Sequence, residues 1–177
     1  MTVAARRLDP EQLGDHIDRL YRAAWALCGS REEAEDLVQD TFARVLARPR
    51  LLRSGDDLGY LLRVLRNTFI SSRRSAARRP RGVPMPEGFE PADVRSTARP
   101  DAAAEAQDVY AAIAALAPDF RDALVAVDLV GLSYGEAGKL LGVKEATITS
   151  RLHRARTQVI AALRTDERQD QAREGVL

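Results

Sequence analysis

The chain has 177 residues, 45% of them hydrophobic but only 5% aromatic, and a net charge of +1. That length holds one medium domain or two small ones around an aliphatic core of Leu, Val and Ala. A single cysteine excludes an internal disulfide, His16 and His153 lack Cys or His partners at zinc-ligand spacing, and no apolar run nears the ~20 residues of a membrane span. No leader-like segment opens the chain, so a cytoplasmic protein is expected, without metal, cofactor or membrane insertion. Ala and Leu favour helix and no β-branched run of period two occurs, which reads as all-α.

The first helix is predicted from Pro10, with Asp9 as N-cap and Leu13, Ile17, Leu20, Ala24 and Leu27 as its stripe. Gly29 ends it. Ser30, with Glu33 three residues on, forms a capping box for a second helix that Pro49 stops. That helix opens acidic: residues 31–41 carry net −4. Cys28, beside Trp25, Ala26 and Leu27, reads as a small buried residue. Residues 48–56 read as a loop. A third helix follows over 57–77, with Leu58, Leu61, Leu62, Leu65 and Phe69 on one face and Arg63, Arg66, Arg73 and Arg74 off it. Residues 57–81 carry net +6.

Five prolines within 80–100, with Gly82 and Gly88, mark a flexible linker, and residues 82–108 carry net −4. The chain therefore reads as two small helical domains, 9–78 and 104–164, joined by the Pro-rich linker 79–103 and ending in a polar tail, 165–177, that frays. The second domain opens with a helix over 102–116, broken by Pro118, and a helix over 119–130 comes next.

Residues 133–159 read as a helix, a sharp turn at Gly142 with Val143 anchoring its exit, and a second helix from about Lys144. Its buried stripe is Ile148, Leu152, Ala155 and Val159. The opposite face presents Ala146, Thr147, Thr149, Ser150, His153, Arg154 and Thr157. Short polar groups beside an arginine suit the reading of base edges in a DNA major groove, as in a helix-turn-helix.

Several motifs together resemble the bacterial sigma factors of the extracytoplasmic-function group. Residues 36–42, Asp-Leu-Val-Gln-Asp-Thr-Phe, look like that group's core-polymerase-binding motif. Residues 60–67, Tyr-Leu-Leu-Arg-Val-Leu-Arg-Asn, look like its promoter-melting segment. Residues 134–143 and 150–156 look like its fourth region. The resemblance covers about residues 10–78 and 104–164. It implies binding of core RNA polymerase through Asp36, Leu37, Gln39, Asp40 and Phe42. It implies −10 element contacts from Tyr60, Arg63, Arg66, Asn67, Arg73 and Arg74, with Asn67 reading a flipped base and the loop 48–56 as pocket wall. It implies −35 element contacts from Lys144, Thr147, Thr149, Ser150, Arg151, His153, Arg154 and Arg156. An anti-sigma factor is the implied regulator, and the acidic linker is implied to follow the path of nascent RNA, where its charge would mimic RNA. Arg151 equally suits an internal salt bridge.

The chain departs from the group in having Tyr60 for a common Trp, Thr149 for a common basic residue, and Ala137-Gly138 for a common Ile-Ala. Gly138 suits a close helix approach. The competing reading is a helix-turn-helix regulator acting without polymerase. An enzyme is disfavoured because no nucleophile, base or metal set converges in the sequence.

Overall fold

The computed structural model of the chain describes residues 5–7, 10–48, 51–53, 57–78 and 100–174. The N-cap expected at Asp9, most of the linker and parts of the 48–56 loop lie outside them. The first expected helix is divided. Pro10–His16 forms a tight 3₁₀ segment, and α1 spans Ile17–Cys28. Gly14, a poor helix former, lies within the 3₁₀ stretch. At the other end of α1, Gly29 adopts φ 79°, the left-handed cap that suits glycine, and its N–H donates to the Trp25 carbonyl.

Ser30 caps α2 (Arg31–Ala47) by accepting the Glu33 N–H at 3.4 Å. The buried face of α2 is Ala34, Leu37, Val38, Thr41 and Val45. The Thr41 hydroxyl is satisfied inside that face by donating to the Leu37 carbonyl at 2.7 Å. α3 spans Asp57–Arg78 and buries Leu61, Leu62, Leu65, Thr68 and Phe69. One small departure from an all-helical chain is an antiparallel ribbon of β1 (Ala5–Arg7) and β2 (Leu51–Arg53), with Arg6 opposite Leu52. The ribbon ties the start of the chain to the α2–α3 connection.

The second unit begins with α4, Pro100–Ala114, which starts on a proline, the residue suited to a first helical turn. α5 (Pro118–Leu124) runs into a widened π-type turn, Val125–Leu129, where one continuous helix is expected from the sequence. The wide turn buries Val125, Ala126 and Val130 and leaves Asp128 facing out. α6 (Tyr134–Leu141) and α7 (Glu145–Glu174) complete the unit. The polar tail expected to fray is helical backbone as far as Glu174.

Both helical units expected from the sequence are present, and a single apolar core runs through both. α1 packs on α2 and α3 within its own unit and on α4 and the 125–129 turn of the other. Trp25 stacks on Tyr110 with ring centroids 4.1 Å apart and planes 16° from parallel. The Gln107 side-chain amide donates to the Gly29 carbonyl at 2.8 Å. Arg66 of α3 pairs with Asp122 of α5 at 2.6 Å. Arg121 lies over the Phe69 ring, 5.2 Å from its centroid, and donates to the Ala114 carbonyl at 2.9 Å. Burial depresses the proton affinity of the Arg121 guanidinium.

Candidate nucleic-acid and protein interfaces

The helix-turn-helix is built by its caps. The Ser133 hydroxyl oxygen accepts the Glu136 N–H at 3.2 Å, and the Glu136 carboxylate accepts the Ser133 N–H at 2.8 Å and its O–H at 2.6 Å. These bonds hold the Glu136 carboxyl below the usual carboxylate range. Gly142 takes φ 69° and turns the chain, and the Val143 N–H donates back to the Gly138 carbonyl at 2.9 Å. α7 then buries Ile148, Leu152 and Ala155, with Val159 half-buried, the stripe read from the sequence.

On the other side of α7, Thr149, Ser150, His153 and Arg154 are exposed together, with Thr147 half-buried beside them and Lys144 exposed at the turn. The Thr149 hydroxyl donates to the Glu145 carbonyl at 3.2 Å, and the Ser150 hydroxyl to the Thr147 carbonyl at 3.0 Å. Each hydroxyl proton is thus committed to the helix, which leaves the oxygens outward as acceptors for base amino groups or water. Two of the other expected contacts are differently engaged. Arg151 donates to Asp119 at 2.5 Å, so the internal salt bridge is the alternative realised here. Arg156 makes a two-pronged pair with Asp128, at 2.7 and 2.9 Å, and the Asp128 hydrogen bonds raise its proton affinity.

In the first unit, Arg44 and Ala47 of α2 and Arg48 just past its end face Tyr60, Arg63, Val64 and Asn67 of α3 across a cleft of about 550 Å³. Tyr60, Arg63 and Asn67 are thereby brought together as expected. Arg44 and Arg48, which the sequence reading does not single out, join them. The remaining three arginines expected at the −10 element lie apart from this cleft. Arg66 is turned to Asp122, and Arg73 reaches Glu33 at 3.4 Å and lies 5.3 Å from the Phe69 ring centroid. Arg74 is exposed at a groove along the seam between the two units, beside Arg66 and Arg121.

The acidic half of α2 presents Asp36, Gln39 and Asp40 to solvent. Leu37, expected to meet a partner, is instead core-packed at 6% exposure, because it falls on the buried stripe of α2, and Phe42 is half-buried. Leu37 lines a groove of about 270 Å³ together with Glu33, Asp36, Asp40, Arg73 and Cys28. Burial, followed by the Glu33 charge, pushes the Cys28 thiol up to about 11, which makes it a poor nucleophile at neutral pH.

Residues 13–79 match the family model for Sigma-70 region 2, and residues 106–159 match that for Sigma-70, region 4. The chain is 38% identical over 157 residues to the ECF RNA polymerase sigma factor SigE of Mycolicibacterium smegmatis; the match covers 84% of this chain and 59% of that relative, so the chain spans about three fifths of its length. It is 35% identical over 155 residues to the ECF RNA polymerase sigma factor EcfG of Rhodopseudomonas palustris, covering 87% of this chain and 84% of the relative. Among solved structures, the sigma factor RpoE of Bartonella quintana, in complex with the anti-sigma factor NepR, superposes with a TM-score of 0.64 at 29% identity, covering 89% of this chain and 99% of that one. Region 2 and region 4 in order, each on the helices that carry its side chains, and relatives aligned over most of the chain lead to one conclusion: the chain belongs to the extracytoplasmic-function sigma factors of the sigma-70 family.

Proposed function

We propose that this sigma factor carries core RNA polymerase to its promoters in the cytoplasm, reads the −35 element with α7, and captures the opened −10 element with α3. The observation that carries this reading is the pairing of two distinct polar surfaces on one chain. One is the exposed Thr149, Ser150, His153 and Arg154 face of a helix-turn-helix, and the other is the Tyr60–Asn67 cleft beside an acidic helix. A regulator acting without polymerase has no use for the second surface. Asp36, Gln39 and Asp40 are the proposed polymerase contacts, with Phe42 behind them. Arg154 is the proposed base-reading group, since a two-pronged arginine–guanine contact discriminates by about 1–3 kcal/mol. The protein acts by binding and not as an enzyme. An anti-sigma factor is its proposed regulator, in line with the NepR-bound Bartonella neighbour.

Reconstituted transcription tests this reading. Purified protein with core polymerase initiates at specific promoters, and neither component does so alone. Arg154→Ala weakens use of the −35 element and leaves polymerase binding intact, while Asp36→Ala with Gln39→Ala does the reverse. Tight, specific operator binding by the free protein, or initiation by core polymerase without it, would sink the proposal.

A further inference from the structure

Arg156 continues the exposed row of α7 that carries Thr149 and His153. It follows Thr149 by seven residues, two turns on and on nearly the same side of the helix. A basic side chain at that place suits a phosphate contact. The geometry gives it other partners. Its Nε and Nη2 both donate to the Asp128 carboxylate, at 2.9 and 2.7 Å, in one two-pronged grip. The hydroxyl oxygen of Tyr134, the first residue of α6, accepts a further hydrogen bond from the same guanidinium. Among the described residues no ion pair involves Arg154, two positions earlier and exposed.

Asp128 reaches Arg156 by way of the widened turn. Val125 and Val130, five residues apart, are both buried, and the Val130 N–H donates to the Val125 carbonyl at 3.0 Å. Five residues close one π-type turn, whereas a regular helix of 3.6 residues per turn would set the two valines about 140° apart. Burying both leaves Asp128 facing outward, where it meets α7. The turn closes directly onto the next element: the Leu132 N–H donates to the Ala126 carbonyl at 3.0 Å, and Ser133 caps α6. One guanidinium therefore joins the wide turn, the start of α6, and α7 just past its base-reading residues.

A simpler account is a surface ion pair that adds a little stability. It does not explain why a cation in the DNA-facing row is gripped in two prongs by an acid from another element. Paired in this way, the guanidinium has little net charge to offer a phosphate. We propose that Arg156 is a positioning residue: with Asp128 and Tyr134 it fixes the tilt and rotation of α7 against α6, and so sets the register in which His153 and Arg154 meet the base edges of the −35 element. Asp128 thereby governs specificity without reading a base. The inference rests on the reading of α7 as the −35 element reader.

The test uses holoenzyme assembled from core polymerase and the parent or a variant protein. Affinity is measured over a range of salt for duplex DNA of a promoter the parent opens, with its −35 element intact or scrambled, and the readout is the ratio of the two affinities. Arg156→Gln and Asp128→Ala each lower that ratio about tenfold, the scale of one lost base contact. The double variant lowers it no further, as expected of residues acting as a unit. Arg156→Lys keeps the charge but cannot form the two-pronged grip, and it does not restore the ratio. The slope of log K against log salt in Arg156→Gln stays at the parent's value. Asp128→Asn, which keeps the side chain's shape, repeats the loss in part and carries the test if Asp128→Ala does not fold. Helical circular dichroism and assembly with core polymerase match the parent.

A slope lowered by about 0.9 in Arg156→Gln and restored in Arg156→Lys, with Asp128→Ala binding at least as tightly as the parent, identifies a phosphate contact and overturns the proposal. A parent-like ratio in folded Arg156→Gln and Asp128→Ala overturns it as well, since the pair then serves stability alone. Arg154→Ala separates the two levels. If it lowers the ratio and the Arg156 and Asp128 variants do not, the reading of α7 stands and the positioning role falls. If scrambling the −35 element does not weaken the parent, the reading of α7 fails and the proposal fails with it.

Discussion

A Cβ added at Gly138 would stand 2.8 Å from the Val143 carbonyl oxygen and 3.7 Å from the Glu145 amide nitrogen. The near neighbour is backbone of the turn itself, so it cannot swing aside as a side chain would. Alanine at this helical position gains about 1 kcal/mol of propensity over glycine. Forcing the turn away from α6 costs roughly 1–3 kcal/mol as overpacking, and the backbone contact puts this site at the upper end. Gly138→Ala is therefore expected to destabilise the protein by about 1 kcal/mol or more in chemical denaturation, and a stabilised variant would refute the close-approach account. The sequence shows that a glycine is out of place here, but only the fold shows what approaches it. The arginines teach the same lesson. Arg151, Arg156 and Arg66 lie on faces that read as solvent-exposed and basic, yet each meets an aspartate 32, 28 or 56 residues away. Helical periodicity places a side chain on a face and is blind to partners at that separation.

Elements were the most legible level, because their ends are written in local chemistry. Ser30 and Ser133, each with Glu three residues on, mark the starts of α2 and α6, and Gly29 and Gly142 mark the ends of α1 and α6. The widened turn at Val125–Leu129 and the three-residue ribbon carry no such local mark, since packing of the assembled units decides them. The capping box of α6 has a consequence in pH. Its hydrogen bonds depress the Glu136 carboxyl in the folded protein. A depressed acid contributes its stability in full above its unfolded-state value, about 4.3, and loses it as pH falls through the lower folded value. Ser133→Ala should cost about 1 kcal/mol at neutral pH. Glu136→Gln should also destabilise there, and its deficit against the parent should shrink as denaturation is repeated at progressively more acid pH. A deficit that stays constant with pH would show that the carboxylate charge plays no part in the cap.

At the scale of the whole molecule, the two units share a seam that amphipathic patterns do not disclose. Such a pattern says that Trp25 or Tyr110 is covered, not that each covers the other. In this closed arrangement α3 lies against α6 and α6 against α7, so the two reading helices are near neighbours within one body. Elements named for positions about 25 bases apart lie on the order of 80 Å apart along B-DNA at about 3.4 Å per step. On the proposed reading one closed molecule cannot reach both, so the Trp25–Tyr110 stack and the Arg66–Asp122 pair part before the promoter is read. The pair also engages Arg66, one of the proposed DNA contacts, until that happens. Weakening the seam should therefore shift the free protein toward an open form. Asp122→Ala combined with Tyr110→Ala removes the acid and the stacking partner without substituting any residue of α3 or of the exposed face of α7. The chain has one tryptophan, 6% exposed in the seam, so all tryptophan fluorescence comes from this surface. The double variant should move Trp25 emission to the red and raise the scattering radius of gyration above the parent's, with helical circular dichroism preserved. Its holoenzyme should assemble at lower protein concentration, because the work of opening is already done. Unchanged emission and radius in a folded variant would show that the remaining apolar contacts of α1 with α4 and the 125–129 turn hold the seam without the stack and the ion pair.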